Sequence, residues 1–164
     1  MSVVEAWKTM QAEIDELMAK LGAEIGFPDL AFDETGYVAI INEDGTVLNF
    51  DHYPDQTAIV VYSTVAELKD ETRFDIYEEM LMANFMWKET CGATLSVSPT
   101  TEHALLMASL PTEGLDLPTL IRFYENVHRL TWAFSDRFKS IAGEDDAAAV
   151  STDPSDAPLP SSFA

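Results

Sequence analysis

The sequence predicts an α+β domain in the order α-β-β-β-α-β-β-α, with an antiparallel sheet, helices packed on it, and a homodimer as the working unit. Three observations carry this expectation. Apolar residues repeat with a helical period at the start, middle and end of the chain, and fall in short runs broken by turn residues between those stretches. The middle helical stretch is apolar on two adjoining flanks, whereas lidding one side of a sheet takes a stripe of only about 100°. The 164 residues, 47% of them apolar, suffice for one domain with its own core. That domain is expected over residues 1–142, followed by a disordered acidic tail over residues 143–164.

From Val4 to Leu21, the residues Trp7, Met10, Ile14, Leu17, Met18 and Leu21 share one arc, with Glu5, Lys8, Glu13, Glu16 and Lys20 outside it. Gly22 then suits a C-terminal cap, and Gly26, Phe27 and Pro28 oppose renewed helix. From Tyr37 to Val65 the runs YVAII, TVLNF and TAIVVYSTV read as a three-stranded antiparallel meander. Asp44 and Gly45 supply the first turn, and Pro54 with Asp55 the second. The first strand is apolar on both sides, Val38 and Ile40 on one and Tyr37, Ala39 and Ile41 on the other. Both faces would then want cover. So short a chain has helices for one face, which makes the leftover apolar surface a candidate binding site.

The stretch Thr72 to Gly92 is read as the central helix. Phe74, Tyr77, Leu81 and Phe85 lie on one flank, and Ile76, Met80, Ala83 and Trp87 on the next. One flank would face the chain's own sheet and the other a second copy of the chain. Asn84 is the one polar side chain inside this arc, so its amide is expected to satisfy a nearby backbone group. Ala93 to Val97 and His103 to Leu110 form a second strand pair. Asp116 and Pro118 open a third helix whose apolar face includes Leu120, Tyr124, Val127, Leu130, Phe134 and Phe138, and which ends near Gly143. The remaining tail is rich in Ala, Ser, Asp and Pro and has little to bury.

The 29 acidic residues against 9 basic give a formal charge of -20, which argues against nucleic acid as a partner because phosphate binding needs Lys and Arg clusters. Such a charge favours solubility and a basic partner. Cys91, the single cysteine, rules out an internal disulfide. The N-terminus carries no basic region leading into an apolar run, and no apolar stretch approaches the ~20 residues that span a bilayer. A cytosolic protein without membrane insertion is expected. His52, His103 and His128 fall on different elements without metal-ligand spacing, so no metal and no cofactor are expected. No glycine-rich phosphate loop is present, and Cys91 would serve as a nucleophile only with a base brought in by the fold, so no enzyme is expected. The surplus is apolar: Trp7, Trp87, Trp132 and seven methionines, side chains suited to adaptable binding surfaces.

Three segments in this order, LMAKLGAEIGFPDLAFDETGYVAIIN (Leu17 to Asn42), EEMLMANF (Glu78 to Phe85) and LDLPTLIRFYENVHRLTW (Leu115 to Trp132), resemble the class I type III secretion chaperones of the Tir-chaperone type. The resemblance runs from Val3 to Ala142. It implies a bacterial cytosolic homodimer that binds the N-terminal segment of one or more secreted effectors and keeps it extended, soluble and competent for secretion. It also implies a role in virulence, no catalysis, and the secretion-system ATPase as a further candidate partner. In these chaperones the middle helix supplies the dimer contact, which carries over to Ile76, Met80, Ala83 and Trp87. Effector chains fill shallow apolar patches and add a strand to a sheet edge. The candidate contacts here are Phe32, Ile40, Leu48, Phe50 and Val61, chosen for their strand positions. Two other readings stay open: a general protein-interaction or regulatory module of the same fold outside secretion, and an acidic mimic of nucleic acid that acts as an inhibitor.

Overall fold

The computed structural model describes residues 3–143, and it follows the predicted order of elements. Helix α1 spans Val3–Ile25, strands β1 Tyr37–Ile41, β2 Val47–Tyr53 and β3 Ala58–Glu67 form the meander, and α2 spans Arg73–Asn84. Strands β4 Thr94–Val97 and β5 His103–Pro111 and helix α3 Leu117–Ile141 complete the chain. All four strand pairings are antiparallel, in the order β1-β2-β3-β5-β4. The meander and the second hairpin therefore join through β3 and β5, which become the centre of one five-stranded sheet.

Strand alternation assigns the two faces of that sheet different fates. Ile40, Leu48, Phe50, Ile59, Val61 and Leu106 all point to one face and are fully buried. Helix α1 adds Ile14, Met18 and Leu21 to the same core, α2 adds Ile76, Met80 and Ala83, and α3 adds Leu120, Val127, Leu130, Phe134 and Phe138. The other face carries Ala39, Ile41, Val47 and Tyr53, all exposed. The apolar residues on both sides of β1 thus mark one packed face and one open one. The side chains of Trp7 and Met10 lie outside the described residues, as does the tail from Glu144 onward.

Helix ends follow local chemistry, with two departures from expectation. Asp116 caps α3 by accepting from the Thr119 N–H at 2.9 Å, and Gly143 leaves the helix with φ +69. Gly22 lies inside α1 and the helix stops at Gly26, whose φ is +85. The need for glycine at position 22 is steric: a Cβ there would meet the Phe27 carbonyl oxygen at 2.2 Å and the Leu30 Cβ at 2.6 Å. The loop folds back onto the helix through the Phe27 N–H, which donates to the Gly22 carbonyl at 2.7 Å. Helix α2 ends at Asn84 instead of continuing to Gly92, because Phe85 turns extended and Met86 and Trp87 take φ of 58 and 51. The Asn84 side chain marks that end. Its Nδ2 donates to the Leu95 carbonyl and its Oδ1 accepts from the Leu95 N–H, each at 2.9 Å. One amide thereby pairs with an edge-strand residue as a neighbouring strand would, the backbone role anticipated for it.

Candidate protein-interaction site

Two uncovered apolar surfaces result from this packing. On α2 and the turn after it, Phe74 is 78% exposed, Leu81 72%, Phe85 75%, Met86 63% and Trp87 57%. Exposed side chains of this size in one patch mark an interaction site in a water-soluble fold. The dimer candidates Ile76, Met80 and Ala83 sit on the opposite flank, at 0, 5 and 0% exposure, and so belong to the chain's own core. Both flanks are apolar, and the one that turns inward is Ile76, Met80 and Ala83, with Asn84 bonded to Leu95 of β4 at the end of the helix. Of the dimer candidates Trp87 alone reaches the surface. Beside the exposed flank a groove of about 320 Å³ runs between α2 and β4, with Tyr77, Leu81, Leu95 and Val97 in its walls.

The second surface is the open face of the sheet. Cross-strand pairing sets Tyr37 opposite Asp51, Asn49 opposite Tyr62, and Tyr53 two residues beyond Asp51. The Tyr37 hydroxyl donates to Asn49 Oδ1 at 2.8 Å, and Asn49 Nδ2 donates to the Tyr62 carbonyl at 3.2 Å. Tyr62 is hydrogen-bonded to Asp51, and its phenol is pushed above its ordinary range, first by burial and then by the Asp51 charge. The Tyr37–Asn49 and Tyr62–Asp51 bonds hold these two rings on a face that also carries Ala39, Ile41, Val47 and Tyr53.

The cargo candidates fall elsewhere. Ile40, Leu48, Phe50 and Val61 are fully buried on the helix-covered face and are not available to a partner. Alternation places their neighbours Ile41, Val47 and Tyr53 on the open face instead. Phe32 is half-buried and stacks on the His52 ring, with centroids 5.6 Å apart and planes at 27°. His52 is itself buried, and burial lowers the pKa of its imidazole against the opposing pull of Asp15.

A third feature ties α3 to the β1–β2 turn. Tyr124 donates to Asn42 Oδ1 at 2.5 Å, and His128 Nε2 lies 2.8 Å from Asp44 Oδ2. Asp44 Oδ1 accepts from the Thr46 N–H at 3.0 Å and the Thr46 hydroxyl at 2.7 Å. These Thr46 bonds, with His128 adding to them, lower the Asp44 pKa to about 2. Among the described residues no three His, Cys, Asp or Glu side chains gather to hold a metal ion, and no helix is long and apolar enough to cross a membrane. The arrangement offers surfaces for binding.

Residues 16–131, from the middle of α1 to just past the middle of α3, match the family model described as Tir chaperone protein (CesT) family. The chain belongs to the CesT family. Solved structures share the fold of this CesT-family chain. The ExsC-ExsE complex contains a chain similar to it at 16% identity and TM-score 0.66, over 77% of this chain and 93% of that one. The HopA1-SchA chaperone-effector complex gives 16% and 0.62, over 75% and 93%. The Yersinia pestis type III secretion chaperone SycH, in complex with a fragment of YscM2, gives 13% and 0.56, over 73% and 98%. No curated protein matches the chain by sequence.

Proposed function

We propose that this CesT-family protein is a cytosolic bacterial chaperone that holds the N-terminal segment of one or more type III secreted effectors extended and soluble. The observation that carries this reading is the five-stranded sheet covered by helices on one face only. Its other face presents Ile41 and Val47 to solvent at one end and Tyr53 at the other, with Tyr37, held by Asn49, and Tyr62 in the rows between them. An extended chain matches such a surface because its side chains alternate with the same period as the strands beneath it. Of the two edge strands, β4 has Leu95 already paired by Asn84, which leaves β1 as the edge for strand addition. The chaperone-effector description of the HopA1-SchA complex, a chain of the same fold, supports the choice of partner.

A symmetric homodimer completes the proposal. The exposed flank of Phe74, Leu81, Phe85, Met86 and Trp87 is one continuous apolar patch, and an isologous contact uses one patch twice. The groove between α2 and β4 would receive side chains of the second copy. Binding of cargo requires no bond to form or break, so the protein acts without catalysis.

The test uses cargo recovered with the tagged chain from its source and identified by mass spectrometry. Amide hydrogen exchange on that cargo, free and bound, should show protection in short strand-like stretches. The exposed-face variants Ile41→Asp and Tyr53→Ser should lose this protection while remaining folded. A compact, globally protected cargo domain, held equally well by both variants, would overturn the reading.

A further inference from the structure

We infer that the notch between β2, the end of β3 and α3 is a subsite for one arginine side chain of the bound segment, an inference that rests on the chaperone reading above. The β2–β3 ladder stops at the pair Asn49–Tyr62, although β2 begins at Val47 and β3 continues to Glu67. Over the same residues the β3–β5 register shifts between Thr64 and Ala66. Where the ladder ends, the Ser63 hydroxyl donates to the Val47 carbonyl at 2.6 Å and takes the place of a main-chain bond. Beyond it lies a cleft of about 500 Å³, within the range of ligand sites and floored by α3. Val47, Asn49 and Thr64 belong to the open sheet face, while Ser63 and Val65 belong to the covered one. The cleft therefore leads from the proposed cargo surface down to the helix.

Two features of the cleft ask for an occupant. Thr131 is 1% exposed and lines the cleft, and its hydroxyl has no hydrogen-bond partner. Trp132 beside it is 55% exposed and stands between this cleft and a second one of about 420 Å³. The chemistry of the lining selects among occupants. Asp136 and Asp44, the latter already bonded to Thr46 and His128, supply carboxylates, Thr131, Ser135 and the Val47-bonded Ser63 supply hydroxyl oxygens, and Lys139 is the opposing cation. The balance is one negative charge and an excess of acceptors. A guanidinium carries five N–H donors, no acceptor and a permanent charge, and its plane stacks on an indole. An aliphatic side chain would leave Thr131 unpaired, and a carboxylate would meet two of its own kind. The overall charge of -20 draws cationic segments toward the whole surface.

The experiment titrates the full-length protein with the capped tripeptides Val-Arg-Val, Val-Lys-Val, Val-Gln-Val and Val-Glu-Val. Shifts of the Trp132 indole and of the Ser63–Ala66 amides are followed by NMR, with the indole assigned from Trp132→Phe. The arginine peptide should shift these signals with millimolar affinity, the lysine peptide should bind several-fold more weakly, and the glutamine and glutamate peptides at least tenfold more weakly. Asp136→Asn, at an exposed position, and Thr131→Val should each weaken the arginine peptide several-fold. Equal binding of the arginine and glutamine peptides, or shifts that spare Trp132, would overturn the subsite. Cargo held extended by a protein with no arginine preference would remove this subsite and leave the chaperone reading standing. Arginine selectivity in the notch beside a cargo bound as a folded domain would keep the subsite and remove that reading.

Discussion

Replacing Asn84 by alanine tests how the edge of the sheet is held. The substitution removes two hydrogen bonds of 2.9 Å and leaves the Leu95 N–H and carbonyl without their partner on a half-buried edge. Each neutral bond contributes about 1 kcal/mol net, and partial loss of solvation at the two orphaned groups adds to this, giving a total of about 2 to 3 kcal/mol. At roughly 3 °C per kcal/mol for a domain of this size, Tm should fall by about 6 to 9 °C. The Asn84→Asp variant sharpens the test. Its carboxylate still accepts from the Leu95 N–H but faces the Leu95 carbonyl, so protonation is favoured in the folded state and the carboxyl pKa is raised. The penalty of this variant is then relieved as pH falls through that raised value, and is present in full at neutral pH. Urea unfolding followed by circular dichroism, at fixed protein concentration and with an unchanged m-value, measures both variants. A loss below about 0.5 kcal/mol for Asn84→Ala, less than one ordinary hydrogen bond, would refute the clamp.

Leu81→Glu should yield folded monomers by light scattering, because a dimer would bury two like carboxylates at a cost of several kcal/mol, while Leu81 is exposed in the single chain. A dimer that survives both this change and Phe85→Glu would place the interface elsewhere. The Asp44 pKa is lowered from 3.8 to about 2, so this group contributes stability that is present above pH 3.8 and lost as pH falls toward 2. Asp44→Asn should flatten Tm against pH in that window, and an unchanged acid limb would show that the Thr46 and His128 contacts do not act there. Removing residues 144–164 should leave Tm unchanged, since their composition cannot offset an ordering cost of roughly 1 to 2 kcal/mol per residue. A drop of several degrees would mean that they pack on the domain.

Period and punctuation made the elements legible. The Asp44–Gly45 turn, the Asp116 cap before Pro118 and the alternation in β2 each specify local geometry through a few neighbouring residues. Asn84 was legible for the same reason, as an amide inside an apolar arc. Face assignment was less so, since Ile40 and Ile41 are adjacent and chemically alike, yet one is fully buried and the other 65% exposed. Only the tertiary position of the helices separates them. The end of α2 was hidden too, because Phe85, Met86 and Trp87 continue a helical apolar pattern while the backbone takes left-handed values that no local glycine announces. The notch was invisible for a different reason: it exists where two strands stop pairing and a third element passes underneath, so its residues are dispersed from Asp44 to Lys139.

The place of β3 and β5 at the centre of the sheet bears on how the chain acquires its structure. Ala58 pairs with Pro111 and Glu67 with His103, so each residue of β3 waits for a partner dozens of positions downstream. The β1–β2–β3 meander and the β4–β5 hairpin can each close over short loops, whereas joining them must first overcome the entropy of the long connection through α2. Docking of two preformed halves is therefore the expected slow step. Until it occurs, the Ile76–Met80–Ala83 flank of α2 lacks the sheet it settles on, and both apolar flanks stand open. A ribosome-bound chain that ends before β5 would be at its most adhesive, and a polypeptide proposed to hold extended partners would briefly resemble one of them.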